Sequence, residues 1–318
     1  MNAIEQRLPD HDPEEQARLE RAANNSIWVS VAVNVVLTVL QVIVGIFAKS
    51  QALVADGMHS LSDLLADFVA LIAARHSRKE ADSDHPYGHR RYENAASLAL
   101  GALLLAVGIG MVFSAIKKFE NPGSIPVVHQ AALWVALFTL AAKEGLFRYM
   151  LAAAKKVHSS MLVANAWHAR SDAASSLVVA VGIVGNLMGY PILDPIAALI
   201  VGLMVGKVGW KFGWQALQDL MDAAADDETV MAIKQTILAQ TGVLGLHDLR
   251  TRKMGDAIIV DVHIEVDDRL SVVAGHNIAV ESRLAVMQAH PVLDVLIHVD
   301  PVNMDSGQSY DPPEPTLP

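Results

Sequence analysis

Two stretches of this chain are apolar enough to cross a bilayer, yet each carries a histidine followed four residues later by an aspartate. They are His59 and Asp63 in SQALVADGMHSLSDLLADFVALIAA, and His168 and Asp172 in MLVANAWHARSDAASSLVVAVGIV. Residues four apart on a helix project from one face, one turn apart. Each pair therefore presents an imidazole beside a carboxylate. Two such helices facing each other would offer two nitrogens and two oxygens, a tetrahedral set for a divalent metal. Ionisable groups at membrane depth are costly and mark ion pathways or proton relays. Polar contacts that merely hold spans together would account for one buried histidine, but less well for two matching pairs. The pattern points to a metal-ion transporter.

The rest of the composition agrees. Hydrophobic residues make up 53% and charged residues 18% of the 318, where a soluble protein averages about a quarter charged. With no cysteine, there are neither disulfides nor thiolate ligands, so a metal must be held by His, Asp or Glu. A net charge of -10 argues against a nucleic-acid partner. Residues 1–21 form an acidic arm without the apolar core of a signal peptide.

Six segments reach the roughly 20 residues that a bilayer core requires: 27–48, 53–74, 95–116, 129–147, 160–188 and 192–208. The fourth is the weakest, because Lys143 and Glu144 cut into its end. Basic residues gather in the second-to-third loop (Arg75, Arg78, Lys79, Arg90, Arg91) and the fourth-to-fifth loop (Arg148, Lys155, Lys156). By the positive-inside rule both termini are then cytoplasmic. Asp56 reads as a gateway or packing residue, Arg170 should face away from the paired motifs, and Asn34, Gln41, Ser175 and Asp194 read as interhelical hydrogen-bonders.

After Trp214 the periodicity changes. A helical connector, an acidic turn and an amphipathic helix ended by Gly242 precede two strands joined at Met254-Gly255-Asp256, a second helix to about Ala289, and a third strand closed by Pro301. Alternation places Val260, Val262, Ile264 and Val266 on one face and Asp261, His263 and Glu265 on the other. In the last strand Leu296, His298 and Asp300 oppose Val295, Ile297 and Val299. With His247 and His276, these residues could gather as a metal cluster of four histidines and an aspartate. A third candidate lies in ADSDHPYGHRRYE, where a turn at Pro86 and Gly88 brings His85 and His89 toward Asp82, with Asp84 to spare. The expected organisation is an arm at 1–21, an all-α six-helix transmembrane domain at 22–214, a cytoplasmic α+β domain at 215–302, and a Pro-rich disordered tail at 303–318.

The paired motifs, the HPYGH loop, six spans and a C-terminal α/β domain with LHDLRTR closely resemble the cation diffusion facilitator family, in particular its bacterial zinc and ferrous-iron efflux branch. The similarity runs from about Ala22 to Pro301. It implies a ferredoxin-like, metallochaperone-like C-terminal domain and a homodimeric proton-coupled antiporter of the bacterial inner membrane, not an enzyme. It also implies zinc as both transported and regulatory ion, with no organic cofactor. By position it implies a transport site at His59, Asp63, His168 and Asp172. The loop site falls on Asp82, His85 and His89, and a binuclear site on His247, His263, His276, His298 and Asp300. This chain departs from several relatives at His59, where they carry Asp, and at Val299, where they can carry a polar residue.

The four membrane ligands also suggest how transport could be coupled. Two carboxylates balance a divalent ion. When the metal leaves, protons on His59 and His168, whose side-chain type titrates near about 6.5, would restore neutrality. Metal and protons then compete, and alternating access follows if each form prefers an opposite-facing bundle. Two nitrogens and two oxygens suit zinc, while iron(II), cobalt and nickel more often want extra ligands, and cadmium is a poorer fit without sulfur. A metalloprotease would need H-E-x-x-H, which is absent. A membrane-bound metal sensor would leave the membrane motifs unexplained.

Overall fold

The computed structural model describes residues 13–77, 79–157, 160–255, 257–303 and 308–309. Side chains at 13–27, 67, 70, 74, 124, 156–157, 160–162, 164–165, 168 and 308–309 lie outside that description. Six long helices come first: α1 (Pro13–Phe47), α2 (Gln51–Ser77), α3 (Arg91–Glu120), α4 (Gln130–Val157), α5 (Ser160–Leu187) and α6 (Leu193–Leu220). Each covers one of the six apolar segments. Among the described residues, four are long and apolar enough to span: Trp28–Phe47, Gln51–Ser77, Arg91–Glu120 and Leu193–Leu220. In α4 the charged Lys143, Glu144 and Arg148 interrupt the run, and α5 includes side chains outside the description.

The chain divides into two compact units, residues 1–68 with 101–211 and residues 69–100 with 212–318. The first is helical, and its polarity is reversed relative to a water-soluble bundle. Trp28, Phe47, Phe113, Trp134 and Phe138 are exposed, whereas Gln41, Asp56, Thr139, Ser175, Ser176 and Asp194 are buried. A lipid-facing exterior permits the first set, and hydrogen bonding inside the unit accommodates most of the second. Asp194 illustrates this. It accepts from the Ser50 hydroxyl at 2.6 Å and from the Gln51 backbone N–H at 2.7 Å, so it caps the first turn of α2 from the start of α6. Helices α3 and α6 touch backbone to backbone, and a Cβ on Gly108 would lie 2.7 Å from the Cα of Gly206. Small residues at a helix crossing allow that approach.

The second unit contains α7 (Asp227–Leu238), β1 (Gly245–Met254), β2 (Ala257–Asp267), α8 (Val272–Ala289), β3 (Val292–Asn303) and β4 (Gln308–Ser309). Asp226 caps α7, its side chain accepting from the Thr229 N–H at 2.9 Å. That hydrogen bond and the Thr229 hydroxyl hold the Asp226 carboxyl below the usual carboxylate range. Ser271 caps α8 in the same way. The sheet order is β1-β2-β3-β4, with β2 antiparallel to β1 and parallel to β3. The parallel pair requires the crossover that α8 supplies. Val260, Val262, Ile264 and Val266 of β2 pack with Ile233 and Ile237 of α7 and Val286 of α8 in one core.

Several boundaries differ from those expected. The acidic arm is drawn into α1 from Pro13, and α6 absorbs the helical connector up to Leu220. Strand β3 does not stop at Pro301. It continues to Asn303, where Val302 and Asn303 pair with Ser309 and Gln308. Proline removes only one N–H from the ladder, so pairing resumes beyond it. The tail expected to be disordered therefore contributes two paired residues, and positions 304–307 and 310–318 lie outside the described residues.

Ile264 is fully buried at the centre of this core. Ile264→Ala should cost about 3 kcal/mol. Hydrogen–deuterium exchange of β2 amides should then accelerate by roughly a hundredfold, and unchanged protection would show that the strand is not held by that core.

Candidate metal sites

In the helical unit, α2 presents His59 and Asp63 on one face, with His59 Nδ1 3.6 Å from Asp63 Oδ2. Asp172 of α5 joins them, and one ligand atom from each of the three lies within 4.8 Å of the others. His59 is buried and Asp63 half-buried. His168 sits on α5 one turn before Asp172, but its side chain lies outside the described residues. A cavity of about 20 Å³ is bounded by Asp63, Asp172, Asn34, Ser60, Lys143 and Leu146. That volume holds one water-sized occupant.

Beside it runs a polar network. Asp56 accepts from the Ser175 hydroxyl at 2.9 Å, from the Ser176 hydroxyl at 2.6 Å and from the Gln41 amide. Lys143 Nζ donates to Ser176 Oγ at 2.8 Å and to Ser60 Oγ at 3.3 Å, and lies 3.7 Å from Asp56 Oδ1. Gln41, Ser175 and Asp194 thus make the interhelical bonds expected of them, whereas Asn34 is placed on the wall of the cavity. Arg170 lies 3.9 Å from Glu144 and stacks over the Phe147 ring at 4.8 Å.

In the second unit, three histidines form a rung across three strands. His247 of β1 pairs with His263 of β2, which pairs with His298 of β3. Their rings are 5.0 and 4.6 Å apart, centre to centre. Asp300, buried at the end of the rung, faces all of them: Oδ2 lies 2.8 Å from His263 Nδ1 and 3.3 Å from His247 Nε2, and Oδ1 lies 3.1 Å from His298 Nε2. Three imidazoles around one carboxylate form a donor set that fits zinc. Asp248 is an addition that strand alternation concealed. A register shift follows His247, and Asp248 takes a φ of +49°. This bulge turns the Asp248 carboxylate to within 3.7 Å of His247 Nδ1.

His276 is not brought to this rung. It lies on α8 and lines a separate cavity with Asp267, Asp268 and Ser271. The reason is geometric: α8 packs on the apolar face of the sheet, where a Cβ on its Gly275 would come within 3.5 Å of Val299. Val299 packs against that same core, on the sheet face opposite the histidine rung.

The loop residues do converge. Asp82 accepts from the backbone N–H of His85 at 2.8 Å, and its carboxylate lies 3.2 Å from His85 Nδ1 and 3.4 Å from His89 Nε2. Gly88, at φ +82°, makes the turn. Lys79 Nζ donates to Asp82 at 2.8 Å. That contact, followed by the His85 N–H, holds the Asp82 carboxyl well below the usual carboxylate range. Asp84 turns only its backbone N–H to Asp82, at 3.1 Å. His76 and Tyr92, which no motif spacing singles out, pack beside His89 with ring centres 6.3 and 5.7 Å away.

A family model described as the cation efflux transmembrane domain matches residues 27–221, and one for the cytoplasmic domain of cation efflux proteins matches residues 225–302. Among known proteins, Metal tolerance protein 2 of Oryza sativa subsp. japonica is 36% identical over 314 residues, covering 90% of this chain and 81% of that protein. Metal tolerance protein C1 of Arabidopsis thaliana is 36% identical over 308 residues, covering 92% of this chain and 65% of that protein. Manganese efflux system protein MneS of Bacillus subtilis (strain 168) is 34% identical over 279 residues, covering 86% of this chain and 94% of that protein.

If the rung holds metal, replacing His263 and His298 together with alanine should lower the number of zinc ions bound per chain at equilibrium dialysis. An unchanged count in a folded variant would show that the rung is a hydrogen-bonded sheet surface only.

Proposed function

Because the chain belongs to the cation diffusion facilitator family of cation efflux proteins, we propose that it exports zinc from the cytoplasm in exchange for protons. The transport site is formed by His59, Asp63, His168 and Asp172. Metal cation efflux is the activity of this transporter family, and the finer reading rests on one observation: His59 and Asp63 of α2 converge with Asp172 of α5 beside a cavity of one water's volume. His168 is the fourth ligand by its helical spacing from Asp172. The two carboxylates balance a divalent ion, and protons replace that charge once the ion leaves. The protein works as a homodimer in a bacterial inner membrane, with both termini on the cytoplasmic side. Metal at the His247–His263–His298 rung and Asp300 acts as a regulator and does not lie on the conduction path.

Zinc is favoured over manganese by the ligand types, since two imidazoles suit a borderline-soft ion and manganese prefers oxygen. Manganese is the second reading, because MneS is named for manganese efflux and is 34% identical. Proteoliposomes loaded with metal-sensitive dye separate the two by the ratio of zinc to manganese flux.

In the same vesicles Asp63→Ala or Asp172→Ala should reduce zinc flux by on the order of a hundredfold or more, since each removes a ligand and half the balancing charge. Near-normal flux at equal protein level would refute the site. His59→Asp enriches the site in oxygen and should raise cadmium or manganese flux relative to zinc. An unchanged ratio would remove His59 from the determinants of selectivity.

A further inference from the structure

The transport site described above has a lysine on its wall. Lys143 lines the same small cavity as Asp63 and Asp172, and its Nζ is 3.4 Å from the backbone carbonyl of Asp172. It is only 3% exposed, and Asp56, its carboxylate neighbour at 3.7 Å, is wholly buried. A fixed positive charge at the edge of a cation site opposes the cation, and low local dielectric strengthens that opposition. A buried lysine is also expensive unless paired and hydrogen-bonded. The polar network answers both problems. Ser176 donates to Asp56 and accepts from Lys143, so one hydroxyl links the ammonium to the carboxylate. Gln41 of α1 and Ser175 of α5 hold Asp56 from two further directions.

We infer that Lys143 is a resident counter-cation of the transport site, held back from Asp63 and Asp172 by Asp56, and that this pair sets the affinity for the transported metal. Lys143 and Asp56 balance each other, as Asp63 and Asp172 balance a divalent ion. With Asp56 intact, the lysine charge is engaged away from the ligands and the metal binds. The same ammonium lines the cavity with Asp63 and Asp172, so its charge offsets part of their repulsion once the metal has gone. Asp56 acts through Lys143 and is a positioning residue. This inference rests on the reading of His59, Asp63 and Asp172 as the transport site.

The test is a charge cycle on the full-length protein in proteoliposomes, reading KM and kcat for zinc flux separately. Asp56→Asn leaves the lysine without its counter-charge and should raise KM by about tenfold, within the range of couplings between residues in contact, with a smaller change in kcat. Lys143→Gln alone removes the opposing charge and should lower KM while slowing turnover, because release becomes harder. The double variant, Asp56→Asn with Lys143→Gln, should return KM to within about threefold of the parent. A purely structural role predicts the reverse: both single variants impaired in the same direction, and the double variant at least as impaired. An unchanged KM in Asp56→Asn would overturn the inference. If that variant does not fold, an unchanged or raised KM in Lys143→Gln would overturn it instead. Asp172→Ala serves as the reference. Persistent flux in that variant removes the site itself, whereas lost flux there with a failed charge cycle removes only the lysine.

Discussion

Charge withdrawn from water must be answered locally, and the helical unit does so in two ways. Asp194 and Asp56 are answered by donors inside the unit: Ser50 and two backbone N–H groups for the first, two serines, Gln41 and Lys143 for the second. Asp63 and Asp172 instead lie with His59 at ligand distance beside a small cavity. The first arrangement ties helices together permanently. The second brings carboxylates and an imidazole together beside the small cavity on which the proposed metal site rests. Both use the same chemistry, and only the partner differs.

Most of this order was legible in the chain because it depends on periodicity. A spacing of four on a helix and of two on a strand says which residues share a face, and this sufficed for His59 with Asp63 and for His263 with His298 and Asp300. It also sufficed for the helix–strand–strand–helix–strand order of the second unit. Two kinds of residue escaped. Asp248 follows His247 directly, so alternation sends it to the opposite face, and only a bulge at φ +49° undoes that. Lys143 looked like a flaw in an apolar segment, since nothing local to α4 announces an aspartate on α2 that would receive it.

His276 takes a different place within the chain. Its residue type made it an attractive member of the cluster, but residue type does not say which side of a sheet a helix will cover. The apolar face of β2 and β3 recruits α8, and His276 goes with it, away from the rung. Val299 raised a similar concern for a similar reason. Its packing against the core separates it from His298 and Asp300, on either side of it in sequence.

The histidine rung also bears on how the sheet finds its alignment. His247, His263 and His298 stand opposite one another on three neighbouring strands, and β2 sets valine and isoleucine on the other face at every second position. Sliding β2 by one residue would drive its imidazole into the hydrocarbon core and turn Val262 and Ile264 outward. The polar stripe therefore works as a proofreading mark for strand pairing: a slip by one residue buries ring nitrogens, a slip by two scatters the rung, and the correctly threaded domain is the one that presents it intact.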